Sequence, residues 1–346
     1  MGLPSDCELK LYSKHKSGER NLITDVPGVL VGHTTIHKDD INTGVTAILP
    51  HGGNMFREKV MAGVSVINGF GKSAGLVQVE ELGTIESPII MTNTLSVGTA
   101  LTAMVKYMTA QNKDIGITTG TVNCLVTECN DSRLNDIRGL HVTEADVINA
   151  VENASEEFEE GACGSGTGMV CLGLKGGIGS ASRIVSADGK SYTVGALVMS
   201  NFGEPGNLVI GGRHFDTSAC SVEKKDTGSI IIIIATDIPL SERQLKRVAR
   251  RSMIALGRVG SYCGNGSGDI AIAFTTANNQ PHYHKTDIFD IKMFCDDRID
   301  SIFEATVEAV EEAIISSLYH AKTTTGIGGH TYTGLTDFIS GLLKHF

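Results

Sequence analysis

The chain has 346 residues, 41 of them glycine and 7 proline, with no tryptophan and a net charge of −10 at pH 7. Its glycines follow no period of three and are scattered among apolar runs, which excludes collagen and flexible linkers. Hydrophobic residues make up 41%, which excludes a disordered chain, and the acidic balance excludes a phosphate-backbone partner, so no nucleic-acid binding is expected.

In chain order, the N-terminus Met-Gly-Leu-Pro-Ser-Asp-Cys-Glu lacks the basic-then-apolar order of a signal peptide. Short β-rich runs at 29–33, 44–49, 64–68 and 88–92 alternate with glycine turns. A helix is predicted over 96–109, with Val97, Leu101, Met104 and Tyr107 or Met108 on one face. Strands follow at 193–199 and 229–236. Ser241-Glu-Arg-Gln244 is a capping box, in which the serine oxygen caps the first turn and the glutamine returns the bond. It opens a helix with Leu245, Val248, Ala249, Met253 and Leu256 at helical spacing. The basic run Lys246-Arg-Val-Ala-Arg-Arg251 reads as its solvated face. A last helix over 301–320 turns Ile302, Val310, Ala313, Ile314 and Leu318 inward and Glu304, Glu308, Glu311 and Glu312 outward. No linker or repeat divides the chain, so 1–346 is expected to be a single mixed α/β layered domain.

Several functional classes find no support. The longest apolar runs, such as 230–235, fall far short of the ~18 residues of a membrane span, so no membrane partner and a cytoplasmic location are expected. Among the eight cysteines there is no Cys-x-x-Cys, and several, in apolar or glycine-rich context, read as buried, reduced thiols. His282-x-His284 is the nearest approach to a metal pair, but it lies in a polar loop-like stretch without further ligands, and no metal is expected. The glycine-rich segments Gly164-Ser-Gly-Thr-Gly168 and Lys175-Gly-Gly-Ile-Gly-Ser-Ala-Ser182 match neither phosphate-loop spacing. They read as tight turns, and no cofactor is expected.

Three clusters carry chemistry. In Asp226-Thr-Gly-Ser229 a small polar turn feeds five isoleucines, the pattern of a strand buried on both faces. It reads either as a plain turn before a core strand or as a self-cleaving Gly228–Ser229 junction. Cleavage would free the α-amine of Ser229, whose ordinary pKa of ~7.7–8.0 suits a general base. One residue would then supply nucleophile and base together. In Gly264-Asn-Gly-Ser-Gly-Asp269, Ser267 and Asp269 stand two apart and face one side of an extended chain. They could hold an ammonium or relay a proton, or form a polar bulge. In Met199-Ser-Asn201-Phe-Gly203, the Asn201 amide could donate to an oxyanion, or simply turn the chain.

Taken as an ordered set, these residues resemble the DmpA-type self-processing serine aminopeptidases, the L-aminopeptidase/D-esterase and β-peptidyl aminopeptidase group. The resemblance includes Ile23-Thr-Asp-Val-Pro-Gly-Val-Leu-Val-Gly-His-Thr34, Asn68-Gly-Phe-Gly-Lys72, Pro88-Ile-Ile-Met-Thr-Asn-Thr-Leu-Ser-Val-Gly98, Leu134-Asn-Asp-Ile137, Gly166-Thr-Gly-Met169 and Lys175-Gly-Gly-Ile-Gly179. It implies a four-layer α-β-β-α sandwich, like the N-terminal-nucleophile hydrolases but with the connectivity of the DmpA and ornithine-acetyltransferase type. It also implies cleavage into an α chain, 1–228, and a β chain, 229–346, that stay together. By the same resemblance Ser229 is nucleophile and base, Ser267 and Asp269 tune its amine, and Asn201 is the oxyanion donor. Glu128 binds the substrate's N-terminal ammonium, and small peptides or amino-acid amides are the substrates. A homo-oligomer, often a tetramer, is implied as well.

Two departures stand out. The family favours Glu where this chain has Asp269, and tends to carry an aromatic in the 128–134 segment, where this chain has Cys129, Asn130, Ser132 and Arg133. An Arg there could attract a substrate carboxylate. The competing expectations are an acyltransferase of the ornithine-acetyltransferase type, which typically has Thr at the cleavage point, and an unprocessed homologue that binds small ligands.

Overall fold

The structure is a computed structural model in which residues 11–221 and 228–343 are described. Cys7, Asp226 and Thr227 lie outside the described residues. The elements run β1 (Leu30–Lys38), β2 (Ile41–Leu49), β3 (Glu58–Gly69), α1 (Leu76–Leu82), β4 (Thr84–Ile85), β5 (Ile89–Asn93), α2 (Val97–Gln111), β6 (Leu125–Cys129) and α3 (Glu144–Glu152). Next come β7 (Val170–Cys171), β8 (Leu174–Lys175), β9 (Gly177–Ala187), β10 (Lys190–Asn201), β11 (Leu208–Ile210), β12 (Arg213–Phe215), β13 (Ser229–Thr236) and α4 (Glu242–Arg258). The chain ends with β14 (Gly268–Pro281), α5 (Asp300–His320), β15 (Thr324–Thr325), β16 (Thr331–Tyr332) and α6 (Leu335–Leu343).

Two sheets carry the architecture. One has four strands in the order β1-β2-β5-β6, the other six in the order β4-β3-β14-β13-β10-β9. Pairing is antiparallel except for β5 with β6 and β13 with β14. Three apolar cores separate four layers. Ala100, Met104 and Met108 of α2 and Val147 and Val151 of α3 pack on the four-stranded sheet through Val45, Ile90 and Val126. Val31, Ile48, Met91 and Leu125 meet Leu197, Met199, Ile231, Ile233 and Ile272 between the sheets. Leu245 and Val248 of α4 and Val310 and Ile314 of α5 cover the far face of the six-stranded sheet. This is the α-β-β-α sandwich that the sequence led one to expect.

The isoleucine run explains why β13 is central. Ile230, Ile232 and Ile234 enter the helix-side core, while Ile231 and Ile233 enter the core between the sheets. A strand apolar on both faces finds burial only in the middle of such a stack. On the helix side, α5 crosses β9 so closely that a Cβ on Gly179 would lie 2.0 Å from the Ala313 carbonyl oxygen.

Of the two residues offered for the inner face of α2, Met108 is buried and Tyr107 half-buried. The helices depart from their predicted faces in two places. In α4, Ser252 is buried and Met253 is half exposed. In α5, Glu308 and Glu311 are buried instead of facing water. The N-terminal segment lies over α5, and Ser13 Oγ (2.7 Å), Lys14 N–H (2.8 Å) and His15 N–H (3.2 Å) all donate to the Glu308 carboxylate. Buried Arg183 of β9 adds an ion pair to Glu308 at 3.2 Å. Arg258 pairs with Glu311 at 2.9 Å. Charges are tolerated inside when paired in this way.

Among the described residues, no helix is long and apolar enough to cross a membrane. His282 is engaged at 2.7 Å with the Thr119 hydroxyl and packs on Phe56, while His284 stacks with Phe289. The two histidines therefore serve separate contacts.

Candidate active site

Strand register assembles the site. β13 begins at Ser229, which lies opposite Asn201, the last residue of β10, and opposite Gly268, the first residue of β14. Three strand ends therefore meet at the nucleophile predicted from the isoleucine run. Ser229 is buried, and its Oγ accepts the Gly268 N–H at 3.1 Å. Gly228 passes so close to Asn201 that a Cβ on it would lie 1.8 Å from the Asn201 carbonyl oxygen. Only glycine lets backbone approach backbone at that distance.

Ser267 and Asp269 flank Gly268 and are both fully buried. They share one face, as their spacing of two predicts, and Ser267 Oγ donates to Asp269 Oδ1 at 2.5 Å. The amide of Asn68, at the end of β3, fixes the turn that leads to them. It donates to the carbonyls of Gly264 (3.0 Å), Asn265 (3.2 Å) and Ser267. That role is invisible in the sequence, where Asn68-Gly69 reads as an ordinary turn pair.

The Asn201 amide is held at both ends. Its Oδ1 accepts the Val170 N–H at 2.9 Å, and its Nδ2 donates to the Asn130 carbonyl at 2.9 Å. An amide nitrogen carries two hydrogens, so the bond to Asn130 leaves one to offer to a developing oxyanion.

Glu128 is buried near the end of β6. Its Oε1 accepts the Lys72 N–H at 2.8 Å, and Oε2 accepts the Thr94 hydroxyl. Gly71 lies between this carboxylate and Gly268, the residue opposite Ser229. A Cβ on Gly71 would stand 3.6 Å from Glu128 Oε1 and 3.8 Å from Gly268 Cα. The Glu128 carboxylate and the serine end of β13 thus lie on either side of Gly71. Arg133 is half-buried on the turn after Asn130, not at one of the strand ends. That turn carries no aromatic; an exposed aromatic, Phe70, is bonded through its backbone beside Ser267. The Phe70 N–H donates to the Ser267 carbonyl at 3.2 Å, and Lys72 Nζ lies 4.1 Å from the ring centroid.

The arrangement offers a hydroxyl nucleophile, a hydroxyl–carboxylate pair, an amide donor and a buried carboxylate able to take a cation. Its surroundings hold a further charged pair that motif analysis passed over. Lys175, fully buried, sends hydrogen bonds to the carbonyls of Gly166 (3.0 Å), Met169 (2.9 Å) and Gly176 (2.6 Å). Asp131, also fully buried, accepts the Asn135 amide at 3.0 Å.

Comparison with known proteins agrees with this geometry. The model of peptidase family S58 matches residues 21–332. The chain is 39% identical over 344 residues to the β-peptidyl aminopeptidase BapA of Sphingosinicella microcystinivorans, a match covering 91% of this chain and 85% of that one. The PH0078 protein of Pyrococcus horikoshii OT3 superposes with a TM-score of 0.92 at 53% identity, over 97% of each chain. The L-aminopeptidase D-Ala-esterase/amidase of Ochrobactrum anthropi, described as a prototype for the serine aminopeptidases and a variant of the Ntn-hydrolase fold, superposes at 0.88 with 37% identity, again over 97% of each. The chain belongs to peptidase family S58 and has the Ntn-hydrolase-variant sandwich of the serine aminopeptidases.

Proposed function

We propose that the chain cleaves itself between Gly228 and Ser229 and then acts as an N-terminal-serine aminopeptidase. The observation that carries this is the register that sets Ser229 at a strand end between Asn201 and Gly268. As a member of family S58 the chain is a hydrolase of the aminopeptidase class. What this proposal adds is the assignment of residues, the self-processing and the substrate.

In self-processing, Ser229 Oγ attacks the Gly228 carbonyl carbon and the chain shifts from nitrogen to oxygen. Water then hydrolyses the ester, leaving a carboxylate on Gly228 and a free amine on Ser229. In turnover, that amine takes the Ser229 hydroxyl proton as Oγ attacks the carbonyl of the substrate's N-terminal residue. Asn201 donates to the oxyanion. The C–N bond breaks, the leaving amine takes the proton, and water releases the acyl group. Ser267, bonded to Asp269, steadies the protonated amine. Glu128, across Gly71 from the serine end of β13, takes the substrate's ammonium.

The substrates are small peptides, amides or esters with a free N-terminus. The names of the relatives, a β-peptidyl aminopeptidase and an L-aminopeptidase D-Ala-esterase/amidase, support this. Assembly as a homotetramer stays part of the proposal, on the family resemblance, as does a cytoplasmic location. Light scattering of the purified protein tests the assembly and should give about four chain masses.

Release of p-nitroaniline from aminoacyl p-nitroanilides tests the site. Ser229→Ala should abolish turnover. Glu128→Gln keeps the shape but loses a charge-assisted contact worth about 1.5–3 kcal/mol, so KM should rise roughly 10- to 100-fold with a smaller change in kcat. An unchanged KM would remove Glu128 from the site.

A further inference from the structure

Lys175 and Asp131 take no part in the chemistry above, yet both charges are wholly buried. Such groups are costly unless they are paired and hydrogen-bonded. Lys175 Nζ spends all three of its donors on carbonyls of one turn, those of Gly166, Met169 and Gly176. The next N–H after Met169, that of Val170, holds Asn201 Oδ1. Asp131 directly follows Asn130, whose carbonyl holds Asn201 Nδ2. The Asn135 amide anchors the Asp131 carboxylate in turn, at 3.0 Å from Oδ1. Gly168, within the segment that Lys175 holds, packs so tightly on Asp131 that a Cβ on it would lie 2.9 Å from the Asp131 Cβ. The two buried charges therefore sit on the two segments that grip opposite ends of one amide.

We propose that Lys175, acting with Asp131, is a positioning residue for the oxyanion donor: the pair locks the 166–176 turn against the 130–135 turn and so fixes the direction of the Asn201 amide. This rests on the assignment of Asn201 made under the proposed function. Burial pushes the Lys175 ammonium down to about 7 and the Asp131 carboxyl up to about 7. Neither group is an inert surface charge.

A double-mutant cycle of Lys175→Met and Asn201→Ala tests the proposal. It is read as kcat and KM on an aminoacyl p-nitroanilide, per mole of chain with an N-terminal serine. Removal of an oxyanion donor costs about 10²–10³ in kcat. Lys175→Met, which misdirects the donor without deleting it, should cost about tenfold or more in kcat, with KM within about threefold. In the Asn201→Ala background it should change kcat less than about twofold, because the donor it positions is already gone. Losses that multiply in the double mutant, or a change confined to KM, would overturn the proposal.

If Lys175→Met does not fold, Asp131→Asn, nearly isosteric, replaces it in the same cycle with the same expected pattern. A wild-type kcat in Asn201→Ala alone would overturn the site assignment and this inference with it. A loss in Asn201→Ala combined with multiplying losses would overturn only the inference.

Discussion

A methyl group on Gly228 would lie 1.8 Å from the Asn201 carbonyl oxygen and 2.8 Å from Phe202 Cα, so even alanine must displace the end of β13 from its partners. Gly228→Ala should therefore stay a single uncleaved chain on a denaturing gel while the wild type splits. Cleavage at the wild-type rate would contradict the tight packing of this junction. A second residue sets acid tolerance. His33 contacts Thr46 Oγ1 at 2.9 Å and the Glu159 carbonyl at 3.1 Å, with Phe158 against its ring edge. Burial pushes its ring from 6.5 down to about 4. The unfolded chain thus takes a proton at this ring before the native one does. Stability attributable to His33 is full above about pH 6.5 and is lost as pH falls toward 4. The melting temperature of the wild type should fall across that window, and that of His33→Gln should fall less. At this scale part of the local chemistry was legible: the spacing of Ser267 and Asp269 predicted that they share one face, where they are hydrogen-bonded. The roles of Asn68, Asn130 and Lys175 escaped notice because each runs through a backbone carbonyl, and carbonyls leave no mark in a sequence.

Elements were legible where both faces are apolar or a cap is explicit. β13 spans the residues predicted for it, since an isoleucine run has no polar face to offer water. Ile233, in the core between the sheets, should cost about 2–5 kcal/mol when cut to alanine, measured by denaturant unfolding. The capping box of α4 is present as predicted, with Ser241 Oγ accepting the Gln244 N–H at 3.3 Å and Gln244 Oε1 accepting the Ser241 N–H at 3.1 Å. Ser241→Ala should lose about 1 kcal/mol in the same measurement. The periodicity of α5 misplaced Glu308, because a helical wheel assumes water on the polar face. Here Arg183 and the segment around Lys14 occupy that side. Covering segments of this kind are tertiary facts, out of reach of any single-helix pattern.

At the scale of the whole molecule, composition and alternating elements predicted a layered α/β domain, and the family resemblance supplied the four layers. Strand order was not readable from pattern alone. β3, β14 and β13 are sheet neighbours although other strands and helices separate β3 from β13 in the chain. This order has a consequence for self-processing. A cut before Ser229 leaves β13 and β14 in one product and β10 and β3 in the other, yet β13 pairs with β10 and β14 with β3. The six-stranded sheet would bind the two products together, so 1–228 and 229–346 should co-elute under native conditions and separate only on denaturation. The intact mass of the purified, active protein tests the central claim most directly. Two species, 1–228 and 229–346 with a free N-terminal serine, are expected, whereas a single mass of 36.6 kDa in a preparation with full aminopeptidase activity would contradict the N-terminal-serine mechanism.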